Sequence, residues 1–373
     1  MITRTLQLEL TERLFKNKVI VLVGARQTGK STLLRAIIKN IENVLWLNGD
    51  EIDTQELFKN QTSTTLKAYI RNPKVLIIDE AQKIDNIGIT LKILFDTYPE
   101  IQLIATGSSS FELRNKINEP LTGRKFEFQL FPISTQELVN HHGIITEKRM
   151  LKHRLVYGFY PEIVTTEEFI KEKLHTLVDS YLYKDLWILD TLKKPEKLIK
   201  LVQALAYQVG SQVSYNELGN LVGLDSKTVE SYINLLEKAY VVFKLNSFSR
   251  NLRNELKSSK KIYFYDNGIR NAVINNFQIA DTRTDIGALW ENYLIAERKK
   301  QNEYHKNYTN TYFWRTKQQQ EIDYIEEKDG NFYVFEFKWN AKKNVKMIET
   351  FAKAYPNYEF KSINPENYLD FVL

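Results

Sequence analysis

The stretch VIVLVGARQTGKSTLL, residues 19–34, decides the amino-terminal fold. The aliphatic run from Val19 to Val23 reads as a strand buried on both faces. Gly24-x4-Gly29-Lys30-Ser31 follows at once and a helical pattern begins directly after it, which is the context a P-loop requires. Glycines let main-chain N–H groups wrap phosphate oxygens, Lys30 reaches the β and γ oxygens, and the Ser31 hydroxyl can ligate Mg²⁺ at a helix N-terminus. The expected nucleotide cradle is therefore Gly24, Ala25, Arg26, Gln27, Thr28, Gly29, Lys30, Ser31 and Thr32.

Working outward, KVLIIDE (74–80) supplies a second buried strand that ends in Asp79-Glu80. Asp79 is expected to hold Mg²⁺ through water, and Glu80 to polarise the attacking water, so hydrolysis is favoured over phosphate transfer. NVLWLN and IQLIATG add two further strands, the latter ending in Thr106, a polar residue placed to sense the γ-phosphate. Arg124 opens another strand in LTGRKFEFQLFP. Short β-branched runs alternating with helical patterns to about residue 150 are the rhythm of a parallel sheet in an α/β domain.

At 373 residues the chain exceeds one typical core, so two or three domains are expected. No apolar run approaches the ~20 residues of a membrane span, and the charged start MITRTLQLELTERLF has no signal-peptide apolar region, so no membrane partner and a cytoplasmic location are expected. The absence of cysteine excludes disulfides, thiolate metal sites and cysteine catalysis. A net charge of +6 permits an anionic partner without requiring one.

The middle of the chain carries SYNELGNLVGLDSKTVESYINLLEKAYVVFKL, residues 214–245. Ser214-x-x-Glu217 is a capping box for one short helix. After a turn at Gly223, a second helix capped near Asp225 or Ser226 buries Val229, Ile233 and Leu236. Helix, short turn, helix, strand is the order of a winged helix-turn-helix, with Lys227, Thr228 and Ser231 on the exposed recognition face. The basic connection SRNLRNELKSSKK, with Arg250, Arg253, Lys257, Lys260 and Lys261, is the candidate wing against double-stranded DNA phosphates. A protein contact is the competing reading of the same module.

Near the end stands EIDYIEEKDGNFYVFEFKWN, residues 321–340. Asp329-Gly330 favours a two-residue turn, because both central positions need φ > 0, and that register sets Asp323 opposite Glu336 and Glu321 opposite Lys338. All four then leave one face. Adjacent carboxylates repel unless a positive charge stands between them; Lys338 supplies part of it, and a divalent cation would supply the rest. Glu-x-Lys also starts at Glu255, Glu297, Glu326 and Glu359, but only the Glu336 copy faces an aspartate across a turn. Upstream, GALWENYLIAERKK reads as a helix that sets Glu291 beside an apolar face of Trp290, Leu294 and Ile295.

A helix glutamate, a strand aspartate, then Glu-x-Lys on the adjoining strand resembles the PD-(D/E)xK nuclease core. That likeness implies Glu291, Asp323, Glu336 and the Phe337 carbonyl as Mg²⁺ ligands, with Lys338 as the catalytic lysine that orients a water. The alternative is an inert salt-bridge cluster, Glu321 to Lys338 among its pairs.

Taken together, GARQTGKSTLL, LIIDEAQKI, ATGSSS, LTGRKFEFQLFPIS, YGFYPEIV, KKIYFYDNG, GALWENYLIAE, FWRTKQQQEIDYI and VFEFKW resemble a family of prokaryotic AAA-type ATP-binding proteins. The resemblance implies an α/β AAA-type P-loop NTPase with a parallel sheet and helical lid over 1–180, a winged helix over 181–270 and a small restriction-endonuclease-like domain over 271–373. It implies ATP and Mg²⁺ as cofactors, and an arginine finger at Arg124 that reaches a neighbouring subunit, hence a homo-oligomer. The chain departs from the family at Gln318-Gln319-Gln320, where a hydrophilic residue and glycine usually precede the Glu-x-Asp; no ligand is removed.

Overall fold

The computed structural model describes residues 1–59, 62–108, 113, 116–180, 194–249, 259–342 and 345–373. These fall into two compact units, Met1–Pro132 with Lys238–Tyr240, and Ile133–Glu237 with Val241–Leu373.

The first unit is built on a parallel sheet of β1 (Val19–Val23), β2 (Val44–Asn48), β3 (Val75–Asp79), β4 (Gln102–Gly107) and β5 (Lys125–Gln129). Their order across the sheet is β2-β3-β4-β1-β5. Every pair is parallel, as the β-branched runs require, since strands covered by helices on both faces have no polar side to show. β1 and β4 are buried along their whole length. In the register Val23 lies beside Gly107 and Asn48 beside Asp79, so the carboxyl ends of β1, β3 and β4 finish at one level of the sheet. That edge is where open α/β sheets bind ligands.

The second unit holds a mixed sheet of β6 (Gln212–Val213), β7 (Val242–Ser247), β8 (Lys260–Phe264), β9 (Asn310–Arg315), β10 (Glu321–Lys328), β11 (Asn331–Phe337) and β12 (Tyr358–Ile363). Their order is β12-β11-β10-β9-β7-β8-β6. Helices Pro195–Tyr207, Tyr215–Val222 and Ser226–Lys238 precede β7, and helix Ile286–Tyr304 precedes β9. Asp225 caps the helix that starts at Ser226, with its carboxylate accepting from the Thr228 N–H at 2.9 Å and hydroxyl at 2.6 Å. Among the described residues, no helix is long and apolar enough to cross a membrane.

The β10–β11 register sets Lys328 opposite Asn331 and Tyr324 opposite Phe335. Asp329 and Gly330 both have positive φ, 52° and 78°, so the two-residue turn has the geometry its sequence favours. One feature was not legible: β10 slips by a residue against β9 between Ile322 and Ile325, a bulge that contains Asp323. Bulges re-aim a side chain without ending the strand.

The compact units cut the chain differently from the boundaries expected at 180 and 270. The segment Ile133–Glu237 belongs to the second unit, where buried polar groups tie it to later residues. The Glu297 carboxylate accepts from the Thr135 N–H at 2.6 Å, the Lys300 ammonium donates to the Ile133 carbonyl at 3.0 Å, and Asp266 accepts from the Phe159 N–H at 2.6 Å. The boundary at 270 falls inside one continuous sheet, since β7 pairs in parallel with β9 through Asn246–Tyr312 and Ser247–Phe313.

Candidate functional site

In the first unit the phosphate loop connects β1 to helix Lys30–Ile38. Gly29 caps that helix at φ 93°, a conformation that excludes most side chains. A Cβ on Gly24 would fall 2.2 Å from the Leu130 carbonyl oxygen, so the loop passes too close to the chain after β5 for any other residue. The buried Lys30 ammonium donates to the Gly24 and Ala25 carbonyls at 2.9 and 3.0 Å, and the Thr28 hydroxyl donates to the Ala25 carbonyl at 2.9 Å.

The Ser31 hydroxyl lies 2.7 Å from the Asp79 carboxylate. This pairing tests whether the residues fit Mg²⁺: a hydroxyl at a helix N-terminus beside a strand-end carboxylate is the donor set that a nucleotide-bound cation uses. Thr106, expected to sense a phosphate, is fully buried; its hydroxyl donates to Asp79 and accepts from the Glu80 N–H at 3.1 Å. Glu80 has φ 49°, and its carboxylate accepts from the Gln82 amide at 2.6 Å and the Ser108 hydroxyl at 3.0 Å. Neither Gln82 nor Ser108 was singled out from sequence, although both follow the strand ends that carry the motif. Another such residue is Arg4, whose guanidinium donates to the Thr28 and Phe131 carbonyls at 2.6 and 2.7 Å. Arg124 stands just before β5, half-exposed, with its Nε 2.9 Å from Asp96.

In the second unit the structure brings Glu291, Asp323, Glu336 and Lys338 together. The Lys338 ammonium lies 2.9 Å from Glu336 and 3.6 Å from Asp323, and Asp323 accepts from the Phe337 N–H at 2.8 Å. Lys338 does not pair with Glu321 as the salt-bridge reading supposed. Glu321 instead meets Lys261 at 2.5 Å and Arg315 at 3.2 Å. Lys261 also lies 3.0 Å from Glu291, which accepts from the Tyr263 hydroxyl at 2.6 Å. Burial, with the Asp323 charge adding to it, pushes the Glu336 carboxyl up to about 8 despite Lys338. Burial likewise raises Glu291 to about 7, with Lys261 opposing and Asp323 adding.

Three carboxylates from three elements have the oxygen chemistry a hard divalent cation prefers. Among the described residues, however, no group of His, Cys, Asp or Glu stands arranged as a ready metal cage. Ammonium groups hold the carboxylates instead. Lys261 therefore corrects the wing reading: it is 1% exposed and turned onto carboxylates, not toward a phosphate backbone. Arg250, Arg253 and Lys257 lie outside the described residues. Lys260 is partly buried, with its ammonium 5.4 Å from the Tyr215 ring centre. On helix Ser226–Lys238, Lys227 and Ser231 are exposed as expected, but Glu230 is exposed as well.

Comparison with known proteins divides the chain into three parts. Residues 16–139 match an AAA domain, and residues 148–280 and 286–367 match two different domains of unknown function. An uncharacterized protein of Haemophilus influenzae is 26% identical over 281 residues, 68% of either chain. One from Methanocaldococcus jannaschii is 23% identical over 377 residues, covering 94% of this chain and 82% of its own. Among solved structures, a Walker-type ATPase of Pyrococcus abyssi matches with a TM-score of 0.49 at 16% identity, over 74% of this chain and 96% of that one. The chain is thus similar to an AAA domain in its amino-terminal third and to a domain of unknown function at its carboxy-terminal end.

Proposed function

We propose that this protein, an AAA-type P-loop domain joined to a carboxylate- and lysine-bearing carboxy-terminal part, binds and hydrolyses ATP. Its nucleotide state controls a half that binds double-stranded DNA and cleaves it. One observation carries the nucleotide part: Ser31 and Asp79 lie 2.7 Å apart at the mouth of the loop that also positions Lys30. In this reading the Gly24–Thr32 backbone holds the phosphates, Lys30 neutralises their charge, and Ser31 and Asp79 hold Mg²⁺. Glu80 orients the attacking water, and Thr106 keeps the acidic pair in place. Arg124 acts on the nucleotide of a neighbouring copy, which makes the working form a homo-oligomer. Mg²⁺, when bound, would neutralise charge on the transferred phosphoryl group.

The DNA-cleaving part is supported by the meeting of Glu291, Asp323, Glu336 and Lys338 in one cluster. Glu291, Asp323 and Glu336 would hold a divalent cation, and Lys338 would orient the water. The winged-helix reading is supported by the run of three helices before β7 and by the antiparallel pairing of β8 with both β6 and β7. A second reading has its own observation: Lys261 is withdrawn from any basic wing, and Glu230 dilutes the positive charge of the exposed helix face. In that reading ATP gates a protein contact and the nuclease-like part is scaffold.

The deciding experiment incubates plasmid and linear DNA with ATP and Mg²⁺, using wild type beside Asp323→Ala. Cleavage by wild type alone supports the first reading. Absence of cleavage, together with DNA affinity that ignores salt, favours the second, because phosphate contacts weaken steeply as salt rises.

A further inference from the structure

Lys261 has no part in the nucleotide site and is no candidate of the sequence reading for the acidic one, yet it lies within ion-pair distance of both Glu291 and Glu321. Its strand, β8, hydrogen-bonds to β6 and β7 and contributes Tyr263 on the same face, two residues on. Both side chains converge on one oxygen of Glu291: the Lys261 ammonium at 3.0 Å and the Tyr263 hydroxyl at 2.6 Å. The same ammonium reaches Glu321 at 2.5 Å and lies 5.3 Å from the Phe313 ring centre. On another side, the loop at Gly210 lies near Glu291, where a Cβ would make ordinary contact at 3.5 Å from the carboxylate. A lysine this buried is costly unless its charge is matched, and here two carboxylates match it.

We infer that Lys261 is the built-in counter-ion of the acidic site, a positioning residue that holds Glu291 in place when no divalent cation is bound. The inference rests on reading Glu291, Asp323, Glu336 and Lys338 as one nuclease-like site. Lys261 supplies positive charge beside Glu291 and Glu321, while Lys338 faces Asp323 and Glu336. Loss of Lys261 leaves Glu321 with Arg315 at 3.2 Å, but leaves Glu291 with the neutral Tyr263 hydroxyl at hydrogen-bond distance and the Lys338 charge acting on it from farther off. Glu291 is therefore the group that Lys261 serves.

The test uses the full chain carrying Lys30→Ala, so that cation binding at the nucleotide loop does not contribute. Melting is followed by tryptophan fluorescence, with Trp290, Trp314 and Trp339 all in this unit. Without divalent cation, Lys261→Met should lower the melting temperature by roughly 10 °C, the scale for stranding a buried charge. Adding Glu291→Gln should recover at least half of that loss, and Lys261→Arg should lose less than Lys261→Met. If the single variant does not fold, a folded double variant supports the inference, and a double variant that also fails to fold overturns it. A single variant as stable as the parent, or a double variant no better than the single, overturns it too. Millimolar Mn²⁺ forms a separate arm. Recovery of Lys261→Met by Mn²⁺ supports both the counter-ion and the cation site, whereas recovery by Glu291→Gln but not Mn²⁺ keeps the counter-ion and removes the cation site.

Discussion

The carboxylates of the two units are held in opposite ways. Asp79 accepts from the hydroxyls of Ser31 and Thr106, and Glu80 from an amide and a hydroxyl, all neutral donors. Glu336 and Asp323 face the Lys338 ammonium, and Glu291 and Glu321 face Lys261. Neutral donors fix a direction without cancelling the charge, so the first pair keeps its full attraction for a cation or a water proton. Ammonium groups cancel it, so the second cluster is satisfied as it stands and must exchange partners before it can take up another cation. The first arrangement suits repeated binding and release; the second suits a site that is closed until something displaces a lysine.

The largest effect that could break this contrast lies at the nucleotide loop. Lys30→Ala should abolish ATP binding, whereas Glu80→Gln should retain ATP and stop turnover, because only the water-polarising charge is lost. Equilibrium binding of a fluorescent ATP analogue beside phosphate release separates the two. Normal turnover by Glu80→Gln would remove that residue from the chemistry. Arg124→Ala comes next: affinity should hold while hydrolysis drops by ~10³, as for an arginine finger in trans. Mixing Arg124→Ala with Glu80→Gln chains should return part of the activity, since some interfaces then combine an intact finger with an intact glutamate. A wild-type protein that turns over as a dilute monomer sinks the trans assignment.

A smaller effect sharpens the role of the neutral donors. Gln82→Leu removes the amide 2.6 Å from Glu80 and leaves the charge in place. Turnover should fall on the order of 10-fold to 100-fold through misplacement, with KM for ATP nearly unchanged. An equal rise in KM would mean that Gln82 serves the loop and not the glutamate.

What the sequence discloses follows the distance over which each contact forms. The phosphate loop is contiguous, and the positive φ of Gly29 is a local demand, so the motif could be read directly, although the crowding that requires Gly24 comes from Leu130. The hairpin is nearly as local, and Asp329-Gly330 pins its register. Lys261 could not be placed in this way. It lies 30 residues before Glu291 and 60 before Glu321, and meets the first because helix Ile286–Tyr304 packs beside β8 and the second because β7 pairs with β9 to make one sheet. A signal did exist: a lysine in a strand of buried aromatic and aliphatic residues, the same interruption that drew attention to Glu336. The packing of residues from 133 to 180 within the second unit, where the sequence reading runs the ATPase domain over 1–180, was hidden for a related reason. Glu297 and Lys300 sit in the charge-rich run ERKKQ, which reads as a solvated face, yet both are buried.

The smallest expected effect is a slope with pH, and it tests the cancelled charge of the second site directly. Glu336 has an ordinary carboxyl value of 4.5 when exposed and is pushed up to about 8 in the fold, by burial first and then by the charge of Asp323. The folded chain therefore binds more protons than the unfolded chain between those values. Stability from this group is fully present below about 4.5 and is lost as pH rises through about 8. Glu336→Gln imitates the protonated carboxyl at every pH, so the variant should match wild type near pH 5 and exceed it near pH 9. Asp285, held down to about 2 by burial-resisting hydrogen bonds from Arg283 and Arg270, loses its contribution only in stronger acid, outside this window. Burial also holds His153 below its usual value and raises Glu291 to about 7, but both groups are present in both chains, so the difference between the chains reports chiefly on Glu336. Urea melts of the two proteins across pH 5–9, read by tryptophan fluorescence, measure that difference. Parallel curves would mean that Glu336 is ionised throughout and that Lys338 compensates it more fully than burial opposes it.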